Sequence, residues 1–211
     1  MRLFISILLV LALGIGALAH LTQGFTALTA ETARRNDVAA SPRLISDVEV
    51  LLPAGGSAQL SSLLQNDGRI TIVNFIYTRC VTLCLAMGSE YQQLQQAIVD
   101  EGLQDRVRLL SISFDPTDSP DHLRRYSKTM KANPDIWQFV TMMPGEQRQR
   151  VLDDFGIVVI PAPFDEYEHN AAYHVVSSEP RLGRIVDYGE PMLALAYAKR
   201  AVEDLDKKGA M

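Results

Sequence analysis

The chain has few cysteines, few histidines and no clustered positive charge. Its 211 residues include two cysteines and four histidines, and they contain no low-complexity stretch and no internal repeat. This composition suits one globular domain with appendages. The formal net charge is −5, and the positive residues stand singly or in pairs among acidic ones. No basic surface is therefore expected, and nucleic acid is not expected as a partner.

The first twenty residues predict an export element. Arg2 precedes an almost unbroken apolar run of 17 residues, 3–19. At about 1.5 Å per helical residue this run just reaches the lower limit for spanning a bilayer, so we expect an uncleaved membrane anchor. The alternative is a cleavable signal peptide, because Ala17-Leu18-Ala19 fits a cleavage site. Either way the remainder is expected outside, on the periplasmic side of the inner membrane in a Gram-negative cell.

Beyond this 1–20 segment the sequence predicts a stalk and a folded domain. Residues 21–43 are polar and rich in Ala and Thr, which indicates a stalk or linker. From residue 44 to 211 strand-like and helix-like patterns alternate. The expected strands are 47–52, 70–76, 107–113, 137–140 and a hairpin of 172–176 with 184–188; the expected helices are 60–64, 85–99, one opening at Ser119-Pro120, 145–155 and 191–205. This alternation favours an α/β fold with a central mixed, partly parallel sheet flanked by helices.

The two cysteines lie where such a fold collects its chemistry. Cys80 and Cys84 follow the strand predicted at 70–76 and precede a helix. Ligands in α/β folds gather at the carboxyl ends of parallel strands. A thiol at a helix N-terminus also has its thiolate stabilised by the helix dipole. The pair is therefore a candidate for reactivity or metal binding.

The spacing of the pair leaves three interpretations open. Cys-x-x-x-Cys differs from the Cys-x-x-Cys of dithiol oxidoreductases. Residues four apart on a helix share a face with Cα atoms about 6 Å apart, so a structural disulfide is allowed. A redox pair is the second interpretation. The third is a soft-metal site, because two thiolates and a neutral imidazole form a Cys2His set suited to copper.

The four histidines narrow the choice of a third ligand. His20 belongs to the leader, and His122, in the first turn of a helix among carboxylates, is expected to be a solvated surface residue. His169 ends a polar loop, 161–168, that could arch over a strand edge, which makes it the best candidate. His174 lies five residues further along an extended segment, so it should point to the opposite face. We expect His169, and not His174, to join the cysteines.

Three pieces of the sequence resemble one known family. They are the strand leading to Thr78-Arg79-Cys80-Val81-Thr82-Leu83-Cys84, the stretch Ser113-Phe114-Asp115-Pro116-Thr117-Asp118-Ser119-Pro120, and His169 before a strand that leads to Gly183-Arg184. In their order and spacing they are similar to the Sco/SenC family of copper-binding, thioredoxin-like proteins that help to assemble cytochrome c oxidase. The resemblance extends over about 44–205.

The resemblance implies a thioredoxin-like fold and a copper site. It implies that Cys80, Cys84 and His169 bind Cu(I) or Cu(II), with Asp115 and Asp118 as supporting residues nearby. The two aspartates also fit a plain turn and helix start, so a structural role stays open for them.

The chain departs from the family pattern beside the ligands. The family usually has proline after each cysteine, where this chain has Val81 and Leu85, and Asn170 replaces the Ser or Thr that commonly follows the histidine. Because proline fixes φ, its absence predicts a cysteine loop with less preorganisation.

Two functional hypotheses follow. The first is an exported copper chaperone, not an enzyme, that delivers copper to the copper site of a cytochrome c oxidase subunit or maintains the thiols of that site. The alternative is a thiol-disulfide oxidoreductase that uses Cys80 and Cys84 without a metal and acts on a periplasmic redox protein. A peroxide-reducing enzyme is a weaker third hypothesis, because no Pro and Thr arrangement precedes Cys80.

Overall fold

The chain divides into two compact units, Met1–Ser41 and Pro42–Met211. The computed structural model describes residues 2–22, 24, 29–80 and 83–209, without the side chains of residues 2, 3, 21, 83–85 and 208. The first unit contains helix α1, Arg2–Leu21, and helix α2, Ala30–Ala40. Among the described residues, no helix combines the length and the apolar character needed to cross a bilayer. The membrane anchor therefore stays a prediction.

Helix α2 lies within the segment predicted to be a stalk. Thr29 caps its N-terminus by accepting a hydrogen bond from the Thr32 N–H, and Glu31 pairs with Arg34 and Arg35 one turn later. A polar helix with local caps and ion pairs is consistent with the polar composition of residues 21–43.

The second unit is built on one large mixed sheet and one small hairpin. Its strands are β1 Arg43–Leu44, β2 Glu49–Leu51, β3 Ser57–Gln59, β4 Ile70–Ile76, β5 Val107–Ser113, β6 Trp137–Met142, β7 Val159–Pro161, β8 Tyr167–His169, β9 Ala172–Val176 and β10 Arg181–Asp187. Within the described residues the large sheet has the order β1-β10-β9-β4-β5-β6-β2-β3. Strands β4, β5 and β6 are parallel, and β7 pairs with β8 outside this sheet.

Helices cover both faces of the sheet. They are α3 Leu60–Asp67, α4 Leu83–Asp100, α5 Pro120–Thr129, α6 Glu146–Phe155 and α7 Pro191–Gly209, with a short 3-10 helix at Pro163–Asp165. Phe155 of α6 contacts Phe75 and His174, whereas Tyr91 of α4 contacts Tyr173. Since successive strand residues point to opposite faces, α4 and α6 lie on opposite sides of β9.

The predicted α/β architecture agrees with these elements. The strands predicted at 70–76 and 107–113 have the bounds of β4 and β5, whose residues are all buried. Strands enclosed on both faces read as continuous apolar runs, which is why their limits are clear in the sequence. The hairpin β7–β8 was missed because each strand has only three residues and no period-2 pattern.

A buried polar relay joins the three parallel strands. The Ser111 hydroxyl donates to Asn74 Oδ1 at 2.7 Å and accepts from the Trp137 Nε1–H at 2.9 Å. All three side chains are buried. Because one hydroxyl serves as both donor and acceptor, it satisfies polar groups on strands β4 and β6 at once.

Replacing Ser111 with Ala should destabilise the protein. The change leaves the Trp137 N–H and the Asn74 oxygen buried without their partner, so the free energy of unfolding should fall by about 1–3 kcal/mol. Ser127→Ala, whose half-buried hydroxyl only donates to the Arg124 carbonyl within α5, is the matched control and should change it by less than about 0.5 kcal/mol. Urea unfolding measures both variants, and equal effects would contradict the relay.

Candidate functional site

The site lies at the carboxyl ends of β4 and β5. Residues 77–80 leave β4, and residues 114–119 leave β5 towards α5. Because the two strands are parallel and paired along their length, these two loops emerge side by side. Cys80 is buried in the first loop.

Asp118 ties the two loops together. Its carboxylate accepts hydrogen bonds from the Thr78 N–H at 2.8 Å, from the Thr78 hydroxyl, and from the Ser113 hydroxyl at 2.6 Å. A buried carboxylate that accepts three donors is held rigidly, since releasing any one of them would leave a desolvated partner. The backbone two residues before Cys80 is therefore anchored to β5.

Asp115 provides a second anchor through Arg79. The Arg79 Nη2–H donates to Asp115 Oδ2 at 2.8 Å, and the Thr117 N–H and hydroxyl donate to Asp115 Oδ1. Burial by itself would raise the pKa of Asp115, but the Thr117 hydrogen bonds and the Arg79 guanidinium outweigh it and hold that pKa below its ordinary value. Both aspartates therefore position the cysteine loop.

The hairpin β7–β8 carries His169 beside this loop. Gly156 ends α6 in the left-handed region at φ 66°, which glycine adopts without steric cost. The Asn170 side chain donates to the Gly156 carbonyl at 2.9 Å and accepts from the Val158 N–H at 2.7 Å. The residue after His169 thus ties the end of β8 to the start of the hairpin.

The surroundings of His169 define its tautomer. Its Nδ1 lies 3.1 Å from the Asn170 carbonyl oxygen, which can only accept, so Nδ1 carries the proton. Nε2 is then a bare acceptor, and it is buried with no hydrogen-bond partner among the described residues. The ring packs against Phe114, with centroids 4.9 Å apart. Burial lowers the pKa of His169, and it outweighs the Asn170 hydrogen bond and the charge of Cys80, which both act to raise it.

Tyr77 joins the cysteine loop to the hairpin. Its hydroxyl donates to Glu166 Oε2 and accepts from the Tyr167 N–H. The same hydroxyl is within hydrogen-bonding reach of the Cys80 sulfur. Burial, then the Glu166 hydrogen bond and then Cys80 raise the pKa of Tyr77 far above its ordinary value. One phenol therefore contacts both sides of the site.

Cys80 and His169 both lie beside Tyr77. The charge of the Cys80 sulfur acts on the His169 imidazole, so the two side chains lie within electrostatic range. The side chain of Cys84, in the first turn of α4, and residues Val81 and Leu85 lie outside the described side chains. Within the described residues no three His, Cys, Asp or Glu side chains converge as metal ligands.

The other histidines lie elsewhere. His174 is buried in β9 between Phe75 and Phe155, on the face covered by α6. His122 is half-buried rather than simply solvated: its Nδ1 accepts from the Ser119 N–H while Ser119 Oγ accepts from the His122 N–H. This reciprocal capping box has a histidine at helix position N3, where Glu or Gln is usual. The sequence therefore did not indicate a capping box.

Sequence reasoning missed Tyr77, Arg79 and Glu166. Glu166 lies 89 positions from its partner Tyr77. Arg79 is 36 positions from Asp115. Contacts at such separations leave no local periodicity in a single sequence. The only available signal was the position of Tyr77 and Arg79 in the segment between β4 and Cys80.

Fold and site together define a class of protein. It is an α/β protein that places a cysteine loop at the carboxyl ends of two parallel strands, beside a hairpin that carries a histidine. Within this class the chain belongs to the SCO1/SenC family, whose model matches residues 58–202. The predicted family is confirmed.

A curated relative supports this assignment. The SCO1 protein homolog of Bacillus subtilis (strain 168) is 28% identical over 131 residues, which cover 61% of this chain. The match covers 65% of the relative, so the chain spans slightly less than two thirds of its length.

Two solved structures share the fold. BsSco, described as a member of the Sco family of cytochrome c oxidase assembly proteins with a disulfide switch, has a TM-score of 0.63 at 23% identity, covering 77% of this chain and 95% of that chain. Arabidopsis thaliana ScoI with copper bound has a TM-score of 0.63 at 16% identity, covering 78% of this chain and 99% of that one. The expected thioredoxin-like α/β fold is confirmed.

Removing the Asp118 carboxylate should loosen the cysteine loop. In Asp118→Ala the Thr78 N–H loses its acceptor, so its amide should exchange faster, and the free energy of unfolding should fall by about 1–3 kcal/mol. Hydrogen–deuterium exchange of the peptide that contains residues 77–80 measures the loop. Asp121→Ala, at an exposed carboxylate in the first turn of α5, is the control; protection of Thr78 that survives Asp118→Ala would contradict the anchor.

His169 should titrate below its ordinary pKa of 6.5 in the metal-free protein. Between the lowered pKa and pH 6.5 the unfolded chain therefore binds more protons than the folded one. The contribution of His169 to the free energy of unfolding is complete above pH 6.5 and is lost as the pH falls through this window. NMR titration of the ring C–H proton measures the midpoint, with His169→Gln assigning the signal. A midpoint at or above 6.5 would contradict the burial of the ring.

Proposed function

We propose that this protein is a copper chaperone for the assembly of cytochrome c oxidase. The observation that carries the proposal is the bare Nε2 of His169, which is buried, has no hydrogen-bond partner among the described residues and lies in the electrostatic range of Cys80. A buried acceptor without a donor is unfavourable unless a ligand completes it. A metal ion that accepts its lone pair would do so.

The chemistry of the donor set favours copper. Cys80 offers a thiolate and His169 a neutral imidazole, and we assign Cys84, four residues after Cys80, as the third ligand. Soft thiolates with imidazole suit copper, whereas carboxylate and water ligands suit harder ions. Both aspartates beside the loop are already occupied by Thr78, Ser113, Arg79 and Thr117, so they are available to position the loop but not to bind.

The known properties of relatives support the same role. Arabidopsis thaliana ScoI was solved with copper bound, and BsSco belongs to a family of cytochrome c oxidase assembly proteins. We propose that this chain carries copper as cargo and passes it to an apo-oxidase subunit by ligand exchange. Loading requires reduced, deprotonated cysteines, so it releases protons and is blocked by a disulfide between Cys80 and Cys84.

The hairpin gives the exchange a structural basis. His169 lies on β8, in a hairpin of two short strands, whereas Cys80 is anchored to the central sheet through Thr78 and Asp118. The hairpin is bridged to the cysteine loop by Tyr77. Release of the Tyr77 hydrogen bonds would let β7–β8 move and withdraw the imidazole while the Cys80 loop stays in place, which would open one coordination position to a receiving protein.

A thiol-disulfide role is the second candidate function. Tyr77 lies within hydrogen-bonding reach of Cys80, and a hydroxyl there can donate to a thiolate. BsSco is itself described as having a disulfide switch. In this alternative one of the two cysteines attacks a disulfide of a partner and the other resolves the mixed disulfide, so the partner leaves as a dithiol, a Cys80–Cys84 disulfide forms, and His169 is dispensable.

We place the folded unit on the periplasmic side of the inner membrane. The apolar residues 4–18 of α1 follow a single positive residue, which is the pattern of an export element. The domain boundaries proposed are 1–20 for the export segment, 21–43 for the linker and 44–211 for the copper-binding domain.

Copper titration of the reduced full chain tests the proposal. Under anaerobic conditions and against a competing Cu(I) chelator, the chain should retain one copper. The variants Cys80→Ser, Cys84→Ser and His169→Ala should each lower the affinity by about ten-fold or more. His122→Ala is the matched control, because this histidine caps α5, and it should retain copper.

The same variants separate the two functions. If His169→Ala loses copper but its thiols still reduce a disulfide reagent at the wild-type rate, copper binding and thiol–disulfide exchange are separate properties of the site. A wild-type chain that retains no copper yet forms and releases a Cys80–Cys84 disulfide readily would overturn the chaperone proposal in favour of the reductase.

A further inference from the structure

A second opening reaches Cys80 away from the hairpin that carries His169. A cavity of about 420 Å³ lies between the cysteine loop and α5. Its lining includes Thr78, Arg79, Cys80, His122, Arg125 and Tyr126. This volume is within the range of small-molecule sites, about 300–1,000 Å³. His169 and Tyr77 are not among the lining residues.

Arg125 gives the cavity an available positive charge. Its side chain is exposed at the rim and makes no hydrogen bond or ion pair to any described residue. The neighbouring Arg124 differs, because it binds the Pro53 carbonyl and Asp121. Of these two adjacent arginines on α5, Arg124 is therefore engaged by other groups and Arg125 is available to a ligand.

Arg79 adds donors on the other wall. It uses Nε and Nη2 on Asp115, which leaves the Nη1 donors for a ligand. The carboxylates that contact the lining residues Thr78 and Arg79 are already engaged: Asp115 binds Arg79 and Asp118 binds Thr78. The remaining donors of the cavity thus favour an anion, and Cys80 places a sulfur beside it.

We propose that this cavity binds small carboxylate-bearing thiols and their disulfides, with Arg125 holding the carboxylate and Cys80 facing the sulfur. The inference deepens the proposed function and rests on it for its biological meaning, since soft thiolates bind Cu(I) and can carry it. In the exchange the bond from Cu(I) to the carrier sulfur breaks as a bond to the Cys80 thiolate forms, copper remains Cu(I), and the carrier leaves as a thiolate.

The guanidinium suits this role for geometric reasons. Its planar set of N–H donors can bind both oxygens of a carboxylate, which a point charge cannot match. Attraction towards a partly enclosed cavity also raises the rate at which anionic ligands arrive, and added salt weakens this effect.

A copper-free reaction tests the site. In the full chain with Cys84→Ser, Cys80 attacks glutathione disulfide: a bond forms between Cys80 Sγ and one glutathione sulfur, the S–S bond breaks, and one glutathione thiolate leaves. Arg125→Ala should slow this reaction about five-fold, and Arg125→Lys, which keeps the charge but loses the two-oxygen geometry, should recover only part of the rate. With the neutral reagent bis(2-hydroxyethyl) disulfide, Arg125→Ala should react at a rate within about two-fold of the parent rate.

Lys128→Ala is the matched control. It removes an equal charge from the same helix at an exposed residue that does not line the cavity, so it should leave both rates within about two-fold of the parent. If Lys128→Ala and Arg125→Ala slow glutathione disulfide equally, general charge explains the effect and the site is wrong. Equal slowing of both reagents by Arg125→Ala would also overturn it.

Protection by S-methylglutathione tests binding directly. This compound carries the carboxylates but cannot exchange sulfur, so it should slow the reaction of Cys80 with the neutral disulfide in the parent and in Lys128→Ala, but not in Arg125→Ala. Absence of protection in the parent would overturn the site. Because copper takes no part in these measurements, their failure is distinct from failure of the copper titration.

Discussion

The buried carboxylate of Asp118 is the constraint on which the site depends. It receives donors from both Thr78 and Ser113, which belong to neighbouring parallel strands and the loops that leave them. Parallel pairing of β4 with β5 brings these donors to one edge, and the carboxylate then fixes the backbone that leads to Cys80. Although Val81 and Leu85 replace the family prolines, the cysteine loop still has a rigid base, because the anchor acts before Cys80 and not after it.

The fold holds the Nε2 of His169 buried without a hydrogen-bond partner among the described residues. A buried nitrogen acceptor without a donor costs about 1–3 kcal/mol relative to a satisfied one. The Asn170 hydrogen bonds at the base of the hairpin and the packing of the ring against Phe114 offset that cost. The same arrangement explains the tautomer and the neutral state of the ring. The Nδ1–H donates to the Asn170 carbonyl, and burial disfavours the charged imidazolium.

Two sides of Cys80 are chemically different. On one side Tyr77 and His169 form an aromatic, enclosed wall with the hairpin. On the other side the cavity beside α5 carries the guanidinium of Arg125. A single sulfur between an enclosed ligand wall and an open cationic cavity can be held from one direction and approached from the other. This division is consistent with the proposed function, in which copper is both retained and exchanged.

The sequence by itself determined the α/β class, the buried strands β4 and β5, the capped start of α5 and the choice of Cys80, Cys84 and His169 as candidate ligands. Apolar runs, caps and short motifs are local, so they are readable without a structure. The tertiary structure alone decided that Asp115 and Asp118 anchor the cysteine loop, that His122 completes a capping box, and that Tyr77 joins loop to hairpin. It also decided which of two adjacent arginines reaches the cavity. These properties depend on contacts between residues tens of positions apart and on the direction in which each side chain leaves its element, and a single sequence does not encode either in its local pattern.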